Sequence, residues 1–142
     1  MARVMTKDER LAFLAEGTRT GMLSTVRADG RPHVAPVWFV PDGEELVLTT
    51  DATSVKGRNM ARDPRVSLGV DAPRPPYDFV VVEGVASLSE DPAELLTWAT
   101  RIAARYMGEE RAREFGERNG VPGQLLVRIR PERVVAEFGV AD

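Results

Sequence analysis

Two short turns in the first third of the chain constrain its fold more than any other feature of the sequence. Each turn holds an Asp-Gly pair between runs of β-forming residues; the turns are Ala28–Arg31 and Pro41–Gly43, and the runs are Gly21–Val26, His33–Val40 and Glu45–Thr50. Asp-Gly pairs in this setting are typical of tight hairpin turns. Because connections this short cannot hold a crossover helix, the pattern predicts an antiparallel meander of three strands.

The rest of the chain continues with further strands and with helices. Strands are predicted at Val66–Val70, at Tyr77–Leu88 with a bend at Gly84, at Gln124–Arg130 and, after an interruption at Pro131-Glu132, at Val134–Phe138. Helices are predicted from the capping-box pair Thr6 and Glu9 to Gly17, over Val55–Arg62, from Asp91-Pro92 onward and over Glu109–Arg118. On the helix that begins at Asp91-Pro92, Arg105 is expected to face water.

These elements predict an α+β fold, an antiparallel β-barrel of six or seven strands with a few flanking helices. The chain has 142 residues and shows no internal repeat, low-complexity tract or linker. We therefore expect one domain over residues 1–142.

Composition excludes several classes of site and partner. With no Cys and a single His, the chain cannot form a disulfide, a thiolate or multi-histidine metal site, or a catalytic cysteine, and no metal is expected. A formal net charge of −3 argues against a nucleic-acid partner. The apolar runs are too short to span a bilayer and no secretion signal opens the chain, so we expect no membrane partner and a cytoplasmic protein.

The motifs that normally carry nucleotide or hydrolytic chemistry are missing. The sequence contains no Gly-x-Gly-x-x-Gly fingerprint, no Walker loop and no Gly-x-Ser-x-Gly elbow. His33 lies on a predicted strand, where we expect it to be structural or to line a site without acting as a base. No residue is therefore assigned a catalytic role.

A segment rich in hydroxyl groups is the best candidate for an anion site. Thr49 and Thr50 end a predicted strand, Ser54 opens the next helix, and Lys56 lies in the first turn of that helix. The free backbone N–H groups and positive partial charge of a helix N-terminus favour a phosphate there. Asn59 follows Lys56 by three residues and is predicted to share its face. The alternative is an ordinary capped helix with a solvated basic side.

The strand before this segment holds a second candidate. Pro36 lies inside the predicted strand His33–Val40. Because proline cannot donate to a ladder, it marks an edge or a bulge, where backbone groups are free to meet a ligand. Trp38 could pack against a flat ring or belong to the core, and Tyr77, after a proline-rich loop, leaves the same choice open.

Five motifs follow one another along the chain. They are Gly21-x-Leu-Ser-Thr-Val, Asp29-Gly-Arg-Pro-His-Val-x-Pro-Val-Trp-Phe, Leu46-Val-Leu-Thr-Thr, Lys56-x-x-Asn-Met-x-x-Asp-Pro-Arg-Val and Val82-Glu-Gly-x-Ala. In this order they resemble the pyridoxamine-phosphate-oxidase-like superfamily, and within it the small actinobacterial deazaflavin-dependent oxidoreductases. The match runs from about Leu11 to Phe138. The resemblance implies a split β-barrel and a homodimer with a flavin or deazaflavin at its interface.

The resemblance also implies nine cofactor-binding residues. Those at the phosphate end are Lys56 and Asn59, with Thr49, Thr50 and Ser54 close by. Those beside the ring are Pro36, Val37 and Trp38 from one strand, and Tyr77 from the partner subunit.

The function that the resemblance implies is that of an oxidoreductase, which binds the deazaflavin coenzyme F420 and transfers hydride to an unsaturated or conjugated organic acceptor. Vitamin B6 oxidation is not expected, because the arginine- and histidine-bearing C-terminal segment of those oxidases is missing from this sequence. The longer anionic tail of F420 would gain from Arg58 and Arg62. Two alternatives stay open: a flavoprotein that uses FMN, whose phosphate needs the same lysine and helix, and a non-catalytic cofactor carrier.

Overall fold

Within residues 2–141, which the computed structural model describes, eight strands form one antiparallel sheet and four helices lie around it. The strands are β1 (Arg3–Val4), β2 (Gly21–Val26), β3 (Pro32–Val37), β4 (Val40–Asp42), β5 (Glu45–Asp51), β6 (Arg65–Asp71), β7 (Phe79–Ser89) and β8 (Gln124–Phe138). The helices are α1 (Lys7–Ala15), α2 (Val55–Arg62), α3 (Pro92–Met107) and α4 (Glu109–Asn119). Hydrogen-bonded strands follow the order β3-β2-β6-β7-β8-β5-β4, and β1 pairs with β8.

The predicted α+β class and the antiparallel split-barrel arrangement are confirmed. The structure has eight strands where six or seven were expected, because β1 and β4 are only two and three residues long. Between the described residues no ladder joins β3 to β4, so the sheet is not closed. None of the described helices is both long and apolar enough to cross a membrane.

The helices begin where the sequence predicts. Thr6 and Glu9 form a reciprocal capping box at α1, in which each side chain accepts the other's backbone N–H. Ser54 caps α2 and Asp91 caps α3 through side-chain oxygens that accept backbone N–H groups of the first turn. These starts are set by residues within three positions of one another, which is why a sequence pattern finds them.

The predicted three-strand meander is wrong. β2 and β3 pair as a hairpin, but β5 pairs with β4 and β8 at the far end of the strand order. The predicted strand His33–Val40 breaks at Trp38 and Phe39, so that Val37 ends β3 and Val40 begins β4. Phe39 is fully buried, and its backbone N–H and carbonyl bond to Tyr106 and Arg105 instead of to a strand. The chain therefore crosses from one end of the sheet to the other at these two residues.

The last strand is longer than predicted. Pro131 and Glu132 do not interrupt it; Gly84 pairs with Pro131 and Glu83 pairs with Arg133, so Glu132 is an extra residue in a bulge. A Cβ on Gly84 would lie 2.3 Å from the carbonyl oxygen of Arg130, so only glycine fits this close approach. The bulge lies opposite Gly84, where the sequence predicts a bend or a barrel corner.

Strand β5 is buried on both of its faces. Leu46 and Leu48 point into the main apolar core, which fills the sheet interior. Val47, between them, packs in a second cluster with Trp98 and Ile102 of α3. Helix α3 thus covers the outer side of β5 and forms one wall of the space on that side of the strand.

Arg105 does not face water as predicted. Its guanidinium donates to the carbonyl oxygens of Leu14 (2.7 Å), Gly17 (3.0 Å) and Phe39 (2.7 Å). Two of these carbonyls lie at the end of α1, where helical C=O groups have no partner within the helix, and the third lies in the crossover. One charged side chain therefore joins α3 to α1 and to the break between β3 and β4.

We expect Arg105→Ala to lower the free energy of unfolding by about 2–4 kcal/mol, because hydrogen bonds from a charged donor contribute about 1.5–3 kcal/mol each and do not add fully. Urea unfolding followed by circular dichroism measures this. The matched control is Arg113→Ala on α4, an exposed arginine paired with Glu117, which should change the value by less than about 0.5 kcal/mol. Equal effects of the two substitutions would contradict the role given to Arg105.

Candidate functional site

A cavity of about 320 Å³ lies where β3 ends and α2 begins, against α3. Five of the nine predicted residues line it: Pro36, Val37, Trp38, Thr49 and Lys56. The other lining residues are Ala99, Ile102, Ala103, Asn119 and Gln124. The cavity therefore brings together the two candidate segments that the sequence separates by more than ten residues.

The end of the cavity next to α2 is suited to an anion. Lys56 lies in the first turn of α2 and, among the described residues, has no carboxylate within 4.0 Å. The backbone N–H groups of Val55 and Lys56 meet no acceptor in the described part of the chain, whereas that of Gly57 donates to the Ser54 hydroxyl. An ammonium group and two backbone donors without an acceptor therefore lie in the first turn of α2, where the helix dipole is positive.

The carboxylate of Asp51 reduces the positive charge at this end of the cavity. A hydrogen bond from the Thr53 side chain lowers the pKa of the Asp51 carboxyl, and the Thr53 backbone N–H and the charge of Lys56 lower it further. The carboxylate is exposed and folded back onto its own turn. It stays ionised at neutral pH, so an anion bound at Lys56 must outweigh one nearby negative charge.

The adjacent threonines of β5 point to opposite sides. Thr49 lines the cavity, while Thr50 is 5% exposed and faces the interior. The Ser54 hydroxyl donates to the Asp51 carbonyl oxygen (2.6 Å) and lies 3.1 Å from the Thr50 hydroxyl. Thr50 and Ser54 therefore stabilise the turn that leads into α2, whereas Thr49 lines the cavity.

Asn59 is committed to contacts inside the protein. It is 4% exposed; its amide Nδ2 donates to the Thr25 hydroxyl (3.0 Å) and its Oδ1 accepts from Arg62 (3.0 Å). Asn59 does not join Lys56 in the wall of the first cavity; it lines a second cavity of about 390 Å³. Its wall holds three arginines, Arg27, Arg58 and Arg62, against one acidic residue, Asp29, so the cavity is basic on balance.

The other end of the cavity of about 320 Å³, which we call the main cavity because the predicted residues line it, is aromatic. Trp38 is 43% exposed, and its indole stacks on the Tyr106 ring with centroids 4.9 Å apart and planes 2° from parallel. The Tyr106 hydroxyl donates to the Arg19 carbonyl oxygen (2.7 Å). Burial raises the pKa of Tyr106, so the hydroxyl stays protonated and available as this donor.

Tyr77 lies apart from the cavity within one chain. It sits in the loop between β6 and β7, has a positive φ of 62° and is 47% exposed. It does not contribute to the cavity wall. Its role as a residue supplied by the partner subunit stays a prediction.

Sequence reasoning missed the wall that α3 and the following loop provide. Ala99, Ile102 and Ala103 face the cavity from α3, and Asn119 and Gln124 close it from the end of α4 and the start of β8. The signal available was the pair of small side chains at 99 and 103, which leave room beside β5 where a larger stripe would pack solidly.

We expect Asn59→Ala to lower the free energy of unfolding by about 1–3 kcal/mol, because it leaves the buried Thr25 hydroxyl without a partner and removes one of the two acceptors of the Arg62 guanidinium. Thermal melts of the ligand-free protein measure the change. Arg58→Ala, one position earlier and exposed, is the control and should leave the melting temperature within about 1–2 °C. A stable Asn59→Ala protein would mean that the amide is free for a ligand after all.

Known proteins similar to this chain share both its sequence pattern and its fold. The family model described as pyridoxamine 5'-phosphate oxidase matches residues 6–137. An F420H(2)-dependent biliverdin reductase from Mycobacterium tuberculosis is 29% identical over 138 residues, which cover 95% of this chain and 90% of that protein.

Two solved structures are similar to this chain in both sequence and fold. A conserved hypothetical protein from Mycobacterium tuberculosis is 32% identical with a TM-score of 0.81, over 92% of this chain and 83% of its own. An F420 reductase is 30% identical with a TM-score of 0.69, over 87% of this chain and 94% of its own.

Proposed function

The chain belongs to the pyridoxamine 5'-phosphate oxidase family, and we propose that it is an oxidoreductase that binds coenzyme F420 and transfers hydride to an unsaturated or conjugated organic acceptor. One observation carries the proposal: a single cavity is lined both by Lys56, in the first turn of α2, and by Trp38, which follows the end of β3. The similarity of this chain to an F420-dependent biliverdin reductase and to an F420 reductase supports the choice of coenzyme.

The residues around the cavity fit the two ends of such a coenzyme. Lys56, the free N–H groups at the start of α2 and the Thr49 hydroxyl would hold a phosphate. Pro36, which has no N–H to commit to a ladder, and Trp38 would flank a planar ring. Asn59 would act indirectly, by fixing α2 against β2 through Thr25.

When bound, the coenzyme supplies the hydride transfer, and the protein supplies binding, orientation and exclusion of water. The apolar wall of α3, with Ala99, Ile102 and Ala103, keeps water from one side of the cavity. No side chain of the cavity wall other than Lys56 carries an ionisable group. We therefore assign none of them a proton-transfer step.

The basic second cavity favours F420 over FMN. Val55 lines this cavity and its neighbour Lys56 lines the main one, so the start of α2 separates the two. Arg62 is held by the carbonyl oxygen of Val26 and by Asn59, whereas Arg27 and Arg58 form no ion pair within the described chain. We propose that Arg27 and Arg58 attract the longer anionic tail of F420, which FMN lacks.

We further propose that the protein is a homodimer. Met22, Gly69, Val81 and Val135 are cross-strand partners in four consecutive strands, on the face of the sheet away from the main core. Met22 is 45% exposed and Val135 is 40% exposed, so this apolar row meets solvent in a single chain. An isologous contact between two copies would cover it.

Titration of the purified protein with F420 and with FMN, followed by fluorescence, tests the proposed function. We expect F420 to bind at least about tenfold more tightly, a difference of roughly 1.4 kcal/mol. Lys56→Ala should weaken both cofactors by roughly 10- to 150-fold and reduce the dependence of binding on salt, because a charge-assisted bond is lost. Arg58→Ala should weaken F420 alone.

The control for these variants is Lys7→Ala, since Lys7 is the other lysine of the chain and pairs with Glu44 on α1's side of the molecule. It should leave both affinities unchanged. Equal affinity in wild type and Lys56→Ala would mean that the phosphate binds elsewhere. A protein that binds reduced F420 but oxidises it no faster than free solution with any acceptor would be a carrier and not a reductase.

Light scattering tests the homodimer. We expect about twice the chain mass of 15.6 kDa at micromolar concentration. Met22→Glu should give monomers, because it places a charge in the apolar row that the second copy would cover, while Leu96→Glu, at an equally exposed apolar position on α3, should leave the dimer intact. A wild-type monomer that binds its cofactor with full affinity would rule out the proposed interface.

A further inference from the structure

Tyr106 contacts two consecutive residues at the point where the sheet is interrupted. Its ring stacks on the indole of Trp38, with centroids 4.9 Å apart and planes 2° from parallel. Its hydroxyl accepts the backbone N–H of Phe39 (3.3 Å) and donates to the carbonyl oxygen of Arg19 (2.7 Å). The tyrosine therefore holds both a side chain of the cavity wall and the backbone next to it.

Strand pairing does not fix Trp38. β3 ends at Val37 and β4 begins at Val40, so residues 38 and 39 have no ladder partner. Phe39 is anchored by complete burial and by Arg105, but Trp38 remains 43% exposed. Among the described residues, Tyr106 is the one aromatic ring stacked on the indole.

We propose that Tyr106 is a positioning residue, which holds the indole of Trp38 in the wall of the cavity so that it can pack against a planar conjugated ring. The ligand part of this inference rests on the function proposed above. One face of the indole is occupied by Tyr106, and the exposed remainder is what a flat ligand meets. A stack of parallel rings extends favourably by one further planar group.

The inference separates the two ends of the ligand. Tyr106 does not line the cavity and lies at the aromatic end, whereas Lys56 lies at the anionic end. Loss of the Tyr106 ring should therefore weaken ring binding and leave the electrostatic part, measured as the slope of affinity against salt, unchanged. A tyrosine that served only to pack α3 would change stability without changing how Trp38 meets solvent.

Acrylamide quenching of the ligand-free protein reads the position of Trp38 directly. The chain has two tryptophans; Trp98 is 8% exposed against 43% for Trp38, so quenching reports mainly on Trp38. A Trp38→Phe protein supplies the background. Tyr106→Leu removes the ring, Tyr106→Met fills the space without a flat ring if the leucine variant does not fold, and Tyr106→Phe keeps the ring.

We expect Tyr106→Leu or Tyr106→Met to raise the quenching constant at least twofold and to weaken F420 or FMN binding about tenfold, with an unchanged salt slope. Tyr106→Phe should bind within about threefold of wild type. Phe115→Leu on α4, an aromatic residue that neither lines the cavity nor stacks on Trp38, is the matched control and should behave as wild type in both measurements.

Two results would overturn the inference: a folded Tyr106→Leu or Tyr106→Met protein whose quenching equals that of wild type, or one whose quenching rises while its cofactor affinity does not fall. A wild-type protein that binds neither cofactor would instead refute the proposed function. In that case the quenching comparison alone decides whether Tyr106 positions Trp38.

Discussion

The arrangement of the sheet depends on how Arg105 satisfies backbone carbonyls that have no other partner. Helix α1 ends in free C=O groups, and the crossover at Phe39 leaves another carbonyl without a strand neighbour. A buried carbonyl without a donor costs more than most single contacts contribute, so a break in a strand at a buried residue requires a donor from elsewhere. Arg105 supplies several N–H groups from one rigid plane, and the crossover can therefore be both buried and irregular.

The cavity follows from the same arrangement. Because the chain leaves β3 at Val37 and rejoins the sheet at the opposite end, β5 comes to lie beneath α3. The helix then closes one side of the cavity that Thr49, Lys56 and Trp38 line together.

Sequence patterns predicted what is determined locally and failed where distant residues decide. The starts of α1, α2 and α3 and the β2–β3 turn each depend on neighbours within a few positions, and each was found. The strand break was missed because its cause lies on α3, more than sixty residues away in sequence. Asn59 was placed beside Lys56 by helical spacing, but its partner Thr25 comes from another strand. Arginine on a helix normally faces water, and only the carbonyls assembled by the fold draw Arg105 inward.

Thr49 and Thr50 are neighbours on β5, but the alternation of side chains along the strand places different limits on what can replace each of them. Leu46 and Leu48 fix the parity of the strand by entering the main core, so position 50 must also point inward and position 49 outward. Thr50 lies beside the hydroxyl that shapes the turn into α2, and its replacement would disturb that turn. Thr49 takes no part in the hydrogen bonds of that turn. A substitution at position 49 would alter the chemistry of the cavity while leaving the interior intact. Selection for a new ligand can therefore act on the first threonine of the pair, while selection for folding preserves the second.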